Sequence, residues 1–162
     1  MQATGTAFIG LGANLGNPQQ AIRSALTALA QLPQTRLIQH SSLYLTAPMQ
    51  ADGDDYVNAV AELHTQLGAE LLLQELQQLE QQFGRLRSYQ NAPRTLDCDL
   101  LLFDGQVIHT ATLQVPHPRM HQRAFVLVPL AQIAPAITIP GHGPIATLLP
   151  LVAQQTIQKL PD

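Results

Sequence analysis

Two aspartates, Asp97 and Asp99, stand one residue apart in a segment that is otherwise strongly apolar. In an extended strand, residues two apart project from the same face, roughly 6.6 Å from each other. The two carboxylates would therefore share one face, while Cys98 and Leu100 share the other. A hard divalent cation offsets the repulsion between two such carboxylates, and Mg²⁺ prefers a few carboxylates together with phosphate oxygens. The spacing indicates a cation site, although an isolated pair of this kind also occurs where a strand merely begins in solvent.

The basic residues of the chain are scarce, and most of them flank this aspartate pair. Lysine and arginine number 8 in the whole sequence. Five of them fall into two polar segments on either side of the pair: Arg85, Arg87, Arg94, Arg119 and Arg123. Arginine forks bind phosphate oxygens in a bidentate manner. Carboxylates and arginines together therefore predict a site for a metal-bound polyphosphate.

The hydrophobic pattern predicts the elements that must position these residues. Strands are expected at 6–11, 37–45, 57–64 and 96–103, and helices at 18–32, 68–83 and 124–133, the last despite Pro129. The polar segment 84–95 is expected to be a loop, and Asp104-Gly105 is expected to join 96–103 to 106–109 as a hairpin. The order strand, helix, strand, strand, helix, strand predicts a ferredoxin-like α/β sandwich, a mostly antiparallel sheet with helices packed on it.

Length and composition exclude several classes of protein. The 162 residues, 46% of them apolar, suit one domain spanning 1–162 with a full core. The net charge of -3 gives no general attraction to nucleic acid or to an anionic membrane. The single cysteine, Cys98, cannot form an internal disulfide, and we expect it to be a small buried apolar residue. The first residues carry no basic region before their short apolar run, which is far below the ~20 residues needed to span a bilayer, so we expect a cytoplasmic protein.

Several segments resemble, in the same order, the family of 6-hydroxymethyl-7,8-dihydropterin pyrophosphokinases. They are Leu-Gly-Ala-Asn-Leu-Gly at 11–16, Tyr-Val-Asn-Ala at 56–59, Gly-Arg-Leu-Arg at 84–87 with Pro-Arg-Thr-Leu-Asp-Cys-Asp at 93–99, Val-Pro-His at 115–117 and Arg-Ala-Phe at 123–125. The resemblance covers roughly residues 8–135. It implies a ferredoxin-like fold and transfer of a pyrophosphoryl group from ATP to the hydroxymethyl oxygen of a reduced pterin, with release of AMP, in folate biosynthesis. A monomer is expected.

The same resemblance implies roles for individual residues. Asp97 and Asp99 would hold two Mg²⁺ ions. Apart from the resemblance, Asp97 would also be a candidate proton acceptor, because a ligand of the metal lies near the attacking hydroxyl. The pterin would be bound by Thr46, Ala47, Tyr56, Asn58 and Phe125, with the two aromatic rings stacking on it and Asn58 bonding its amide-like edge. ATP would be bound by Glu80, Arg85, Arg87, Leu100, His117, Arg119 and Arg123, and Arg85 and Arg94 would also act in catalysis.

The sequence departs from the family pattern in the loop before Asp97. The chain has no tryptophan, and Gln90 and Ser88 stand where the family carries cations. Thr112 also stands where an arginine is frequent. These changes imply weaker loop closure or slower chemistry.

Two other functions stay open at this point. One is a catalytically weakened relative that binds pterin or nucleotide as a regulatory module. The other is an unrelated nucleotidyl- or glycosyltransferase that uses the two aspartates, although it would leave Tyr56, Asn58 and Phe125 without a shared purpose.

Overall fold

An antiparallel sheet forms the centre of the molecule and carries the residues singled out above. The computed structural model describes residues 4–47, 55–84 and 96–161. In chain order its helices and strands are β1 (Gly5–Ala13), α1 (Pro18–Leu29), β2 (Thr35–His40), β3 (Tyr44–Thr46), β4 (Tyr56–Thr65), α2 (Ala69–Gly84), β5 (Asp97–Phe103), β6 (Ile108–His109), β7 (Gln114–Val115), α3 (Ala124–Ile133), β8 (Thr138–Ile139), β9 (Gly143–Pro144), α4 (Ile145–Leu148) and β10 (Ile157–Lys159). Short 3-10 helices lie at Met120–Gln122 and Leu149–Val152.

The order of the strands confirms the ferredoxin-like prediction. Strand β1 lies between β4 and β5, and the opposite side of β4 pairs with both β2 and β3. The predicted strand 37–45 is thus divided in two at Ser41. There the Ser41 N–H donates to the Val60 carbonyl over 2.8 Å, and the Ser41 Oγ accepts the Val60 N–H over 2.9 Å. The Ser41 side chain thus replaces one backbone hydrogen bond between the strands. On either side of this point, β2 and β3 pair in succession with the same edge of β4.

Helices α1 and α2 cover one face of this sheet. The side chain of Asn17 accepts the Gln20 N–H over 3.1 Å and caps α1, and Pro18 occupies its first turn, as the sequence predicts. Residues with helical spacing then face the sheet: Ile22, Ala25, Leu26 and Leu29 from α1, and Leu72, Leu76 and Leu79 from α2. The first hydrophobic core lies between these two helices and the sheet.

Helix α3 and the segment after it cover the other face. A second core contains residues of the sheet, of α3 and of the last quarter of the chain: Phe8, Val60, Leu101, Leu102, Met120, Leu127, Leu130, Ile139, Ile145, Leu148 and Val152. Leu101 and Leu102 both contribute to it because the register between β1 and β5 shifts there, as in a β-bulge. Among the described residues, no helix is long and apolar enough to cross a membrane.

The predicted hairpin after β5 is wrong. Asp104 and Gly105 do form a tight turn, with φ of 55° and 67°. However, β6 pairs with β7 and not with β5. The outer edge of β5 is engaged by other groups, since the His117 N–H donates to the Leu101 carbonyl over 2.9 Å.

Candidate active site

A cleft of about 450 Å³ opens where β1, β3, β4 and β5 approach the first turn of α3. Its walls contain most of the described residues that the sequence singles out. The lining consists of Gly10, Leu11, Gly12, Asn14, Thr46, Ala47, Tyr56, Asn58, Ala59, Asp97, Asp99, Arg119, Arg123, Phe125 and Val126. A cavity of this size suits a small organic molecule.

The two aspartates lie side by side along one wall of this cleft. Asp97 is opposite Gly12 and Asp99 is opposite Gly10 in the pairing of β5 with β1. Asp97 is half-buried and Asp99 is exposed, whereas Cys98 is buried in the core on the helix side. The predicted alternation of faces is therefore confirmed.

Two glycines of β1 leave bare backbone beside these carboxylates. A Cβ atom added at Gly12 would lie 3.0 Å from Asn58 Oδ1, and one added at Gly10 would lie 3.3 Å from Leu101 Cδ2. Any larger residue at these two positions would therefore crowd Asn58 or Leu101. The sequence interpretation missed these positions, although their alternation with Ile9 and Leu11 places them on the face of the aspartates.

Asn58 and Thr46 form a buried polar pair on the next strands. Asn58 Nδ2 donates to Thr46 Oγ1 over 2.7 Å, and the residues are only 5% and 4% exposed. This bond commits one amide proton to the protein and fixes the plane of the amide. The carbonyl oxygen Oδ1 lies beside Gly12, since a Cβ atom added there would be only 3.0 Å from it.

The predicted stacking residues, Tyr56 and Phe125, both line the cleft together with Ala47. The guanidinium carbon of Arg123 lies 5.3 Å from the centre of the Phe125 ring, a cation–π contact. This contact holds an arginine beside an aromatic surface at the mouth of the cleft.

His117 lies next to the two arginines of the cleft. Its Nδ1 accepts the Arg119 N–H over 3.2 Å. Burial lowers the pKa of His117, and the charges of Arg123 and Arg119 lower this pKa further. The ring is therefore neutral at pH 7 and can act as a hydrogen-bond partner without adding charge.

Glu80 and Leu100 lie behind the cleft rather than in its lining. Glu80 Oε2 accepts the Cys98 N–H over 2.8 Å, so the carboxylate ties α2 to the start of β5. The Leu100 side chain is 4% exposed and belongs to the core under the helices. Any contact of Leu100 with a ligand would have to go through its backbone.

Cys98 has the buried, unreactive position that the sequence predicts. Burial raises the pKa of the Cys98 thiol, and the nearby charges of Glu80, Asp99 and Asp97 raise it further. A protonated thiol is a poor nucleophile.

The expected loop cations lie outside the described residues. Arg85, Arg87 and Arg94 belong to 85–95, as do Ser88, Tyr89 and Gln90, so their roles stay predictions. Thr112 is described, and its hydroxyl donates to Glu70 Oε2 over 3.0 Å at the start of α2.

The donor set of the cleft fits a hard divalent cation. Asp97 and Asp99 present carboxylate oxygens from one face of β5 into the cleft, and the paired glycines of β1 add no side chain beside them. Within 4–47, 55–84 and 96–161 no group of three or more His, Cys, Asp or Glu side chains is arranged so that it could hold a metal ion by itself. A cation there would need further oxygens from water or from a ligand, as Mg²⁺ commonly does.

Comparison with known proteins gives a consistent result. A model of the 7,8-dihydro-6-hydroxymethylpterin-pyrophosphokinase (HPPK) family matches residues 8–135. A 2-amino-4-hydroxy-6-hydroxymethyldihydropteridine pyrophosphokinase of Haemophilus influenzae is 42% identical over 156 residues, which is 96% of this chain and 98% of that one. The protein of the same name from Pseudomonas aeruginosa is 43% identical over 155 residues, 95% of this chain and 96% of that one.

Solved structures share the fold at much lower identity. A Plasmodium falciparum HPPK-DHPS variant, A437G with SDX-DHP, has a TM-score of 0.75 at 14% identity and covers 91% of this chain. An HPPK-DHPS in complex with substrates has a TM-score of 0.70 at 12% identity. The chain spans less than half of these longer proteins, 45% and 42% respectively.

Proposed function

The chain belongs to the 7,8-dihydro-6-hydroxymethylpterin-pyrophosphokinase family, a pyrophosphokinase family of folate biosynthesis, and on that premise we propose how its cleft performs the reaction. ATP gives its terminal pyrophosphoryl group to the hydroxymethyl oxygen of 6-hydroxymethyl-7,8-dihydropterin, and AMP leaves. The observation that carries this assignment of the cleft is the convergence of an aspartate pair, a buried Asn58–Thr46 pair and two arginines on one cavity.

The pterin occupies the end of the cleft formed by β3, β4 and the start of α3. Its ring lies between Tyr56 and Phe125, where each aromatic contact contributes about 0.5–1.5 kcal/mol beyond burial. Asn58 presents an amide of fixed orientation to the polar edge of the ring, since Thr46 already holds its Nδ2. Ala47 adds backbone groups at the same end. A buried amide of fixed plane favours a ligand with matching donors and acceptors.

The triphosphate lies along the other end of the cleft. Arg119 and Arg123 contact phosphate oxygens, and His117 adds a neutral hydrogen-bonding group beside them. Asp97 and Asp99 would hold Mg²⁺, two ions in all, and the metal would supply neutralisation of the polyphosphate charge. Arg85, Arg87 and Arg94 complete the set of cations from the loop before β5. Glu80 supports the nucleotide side from behind β5. Leu100 contributes to the same side through its own backbone.

The protein contributes mainly geometry and charge to such a reaction. In-line attack on a phosphorus atom requires the two reactants to be aligned and the developing charge to be balanced. Phe125 and Tyr56 orient the acceptor, while the arginines orient the donor. The proton of the attacking hydroxyl passes to a carboxylate at the wall, for which Asp97 is the candidate.

We also propose that residues 1–162 act as one catalytic domain, as a monomer in the cytoplasm. No observation on the described residues favours a regulatory module that binds pterin or nucleotide, because both aspartates, Asn58 and the two aromatic residues are in place.

The release of AMP from ATP in the presence of the reduced pterin and Mg²⁺ tests this proposal. We expect the double variant Asp97→Ala, Asp99→Ala to lose about 10³-fold or more in kcat/KM. Asp104→Asn is the matched control, since Asp104 is exposed and Asn tolerates its positive φ of 55°. A double variant that releases AMP at the rate of the control would contradict the assignment of the aspartates.

A further inference from the structure

The segment that follows α3 connects two walls of the cleft, although it lies beyond the residues that the family model matches, 8–135. Its apolar residues Ile145, Leu148 and Val152 are buried in the second core. Its end, β10, then pairs with β3, and Ile157 lies opposite Thr46. The segment is thus anchored in the core and reaches the pterin wall of the proposed site.

Gln155, two residues before β10, bonds to the backbone on both sides of Arg123. Its Oε1 accepts the Ala124 N–H over 2.9 Å. Its Nε2 donates to the Gln122 carbonyl over 2.9 Å. One planar amide therefore links the residue before Arg123 to the residue after it.

Arg123 stands where two helical pieces meet, and its backbone direction depends on how they are joined. The 3-10 helix Met120–Gln122 ends there, and the Arg123 N–H donates to the Met120 carbonyl over 3.3 Å. The Arg123 carbonyl then accepts the first bonds of α3, from Val126 and Leu127. Arg123 itself is extended, with φ of -123° and ψ of 115°.

The two bonds of Gln155 fix this junction in a way that ordinary helix capping does not require. The Ala124 N–H is one of the donors that a helix leaves without an internal partner, so one acceptor alone would cap it. The second bond, to the Gln122 carbonyl, holds the peptide group before Arg123. Together they fix the direction in which the Arg123 side chain leaves the backbone and enters the cleft.

We propose that Gln155 is a positioning residue that orients Arg123 for the polyphosphate of the nucleotide. The inference rests on the proposed function, in which Arg123 contacts ATP. The segment after α3 would thus take part in the reaction indirectly, because Gln155 holds the backbone of residues 122–124. The Phe125 ring, over which Arg123 lies, is itself packed against the second core, so a misdirected guanidinium would affect the nucleotide side first and the pterin ring less.

The test is a double-mutant cycle on the full chain, with steady-state AMP release as the measurement. Gln155→Met keeps the volume of the side chain and removes both hydrogen bonds. We expect kcat/KM for ATP to fall about tenfold, less than the roughly 10²-fold that a 1 Å misplacement of a catalytic group can cost. KM for the pterin should stay within about twofold, because the Asn58–Thr46 pair is untouched. Gln154→Ala, at an exposed neighbouring position, should behave as the unmodified protein.

The cycle with Arg123→Ala separates a positioning role from a merely structural one. If Gln155 acts through Arg123, then Gln155→Met should cause no further loss of kcat/KM for ATP in the Arg123→Ala background. Should Gln155→Met fold poorly, Gln155→Glu keeps an acceptor for the Ala124 N–H and loses only the donor to Gln122. The same direction of change is expected for it.

Three results would overturn the inference. An active protein in which Gln155→Met and Gln155→Glu keep the full kcat/KM for ATP would exclude a positioning role for Gln155 alone. A tenfold loss that persists in the Arg123→Ala background would show that Gln155 acts by another route. A protein that releases no AMP, or in which Arg123→Ala is fully active, would remove the proposed function of Arg123 and the inference together.

Discussion

The hydrogen bond between Asn58 and Thr46 shows how a single buried contact can prepare a binding site. An amide buried in a cleft presents a donor or an acceptor according to its orientation, and solvent cannot adjust the choice once a ligand covers it. Thr46 Oγ1 fixes this orientation, because it accepts a hydrogen bond from Asn58 Nδ2 over 2.7 Å. The free side of the amide is therefore defined before a ligand arrives.

Thr46→Val should weaken pterin binding and leave ATP binding almost unchanged. The substitution keeps the shape of the side chain and removes the acceptor, so that the buried Asn58 amide loses its partner at a cost of about 1–3 kcal/mol. The unpartnered Asn58 amide is then free to turn away from the pterin, which lowers the affinity for the pterin. Calorimetric titration with the pterin and separately with an ATP analogue measures both affinities.

Thr46→Ser is the matched control for this prediction, since it retains the hydroxyl. We expect its affinity for the pterin to lie near that of the unmodified protein. Equal pterin affinities for the Val and Ser variants would show that the Asn58 amide does not depend on Thr46.

Individual residues differ in how far the sequence predicts their place. Asp97 and Asp99 were predictable, because alternation along a strand fixes which side chains share a face, and the structure confirms it. Gln155 was not, because its partners at 122 and 124 lie about thirty positions away and the chain contains many other glutamines. Contacts of that kind depend on how the last segment packs, which no local period encodes.

At the scale of elements, strand β5 is held on its outer edge by groups from two other parts of the fold. The Cys98 N–H donates to Glu80 on α2, and the Leu101 carbonyl accepts the His117 N–H. A dipeptide such as Asp104-Gly105 predicts a turn from local backbone preferences, and the turn is present. The dipeptide could not predict which strand β6 pairs with. The outer edge of β5 is bonded to Glu80 and His117, and β6 pairs with β7 instead.

Glu80→Ala should lower the free energy of unfolding by about 1–3 kcal/mol, because it leaves the Cys98 N–H without the partner that joins α2 to β5. Activity should fall as well, since Asp97 and Asp99 lie on either side of Cys98 on β5. Urea unfolding measures the first effect and AMP release measures the second. Glu80→Gln keeps an acceptor and should retain most of the stability.

Gln78→Ala is the control for a change on the exposed face of the same helix. If Glu80→Ala is as stable and as active as Gln78→Ala, the bond to Cys98 does not anchor the strand. If Glu80→Gln is inactive although stable, the charge of Glu80 has a role with the nucleotide that its position behind β5 does not require.

At the scale of the whole molecule, the sheet is buried on both faces, and the second core depends on the end of the chain. The predicted order of strands and helices accounts for the first core, between the sheet and helices α1 and α2. The second core includes Ile139, Ile145 and Val152, all beyond the family match at 8–135. The hydrophobic pattern predicts no strand or helix after residue 133, so the burial of these residues could not be predicted from periodicity.

The stability of the whole chain should fall as the pH is lowered below about 6.5, the ordinary pKa of histidine. Burial first, and then the charges of Arg123 and Arg119, lower the pKa of His117 in the folded protein, and burial and His142 lower the pKa of His121. Below pH 6.5 the unfolded chain therefore takes up protons that the folded chain resists, which favours unfolding until the pH passes the folded pKa. Well above pH 6.5, about the unfolded pKa, both states are neutral at these positions and the effect vanishes.

Melting temperatures between pH 5.5 and 7.5 measure this dependence in a window above the usual titration of carboxylates. His117→Asn should flatten the decline, because Asn cannot be protonated there and its Oδ1 can still accept the N–H two residues later, as His117 Nδ1 does from Arg119. His109→Gln removes an exposed imidazole on β6 and serves as the control. If His117→Asn and His109→Gln both lose stability with falling pH as steeply as the unmodified protein, the burial of His117 beside two arginines does not cause the protein's loss of stability below pH 6.5.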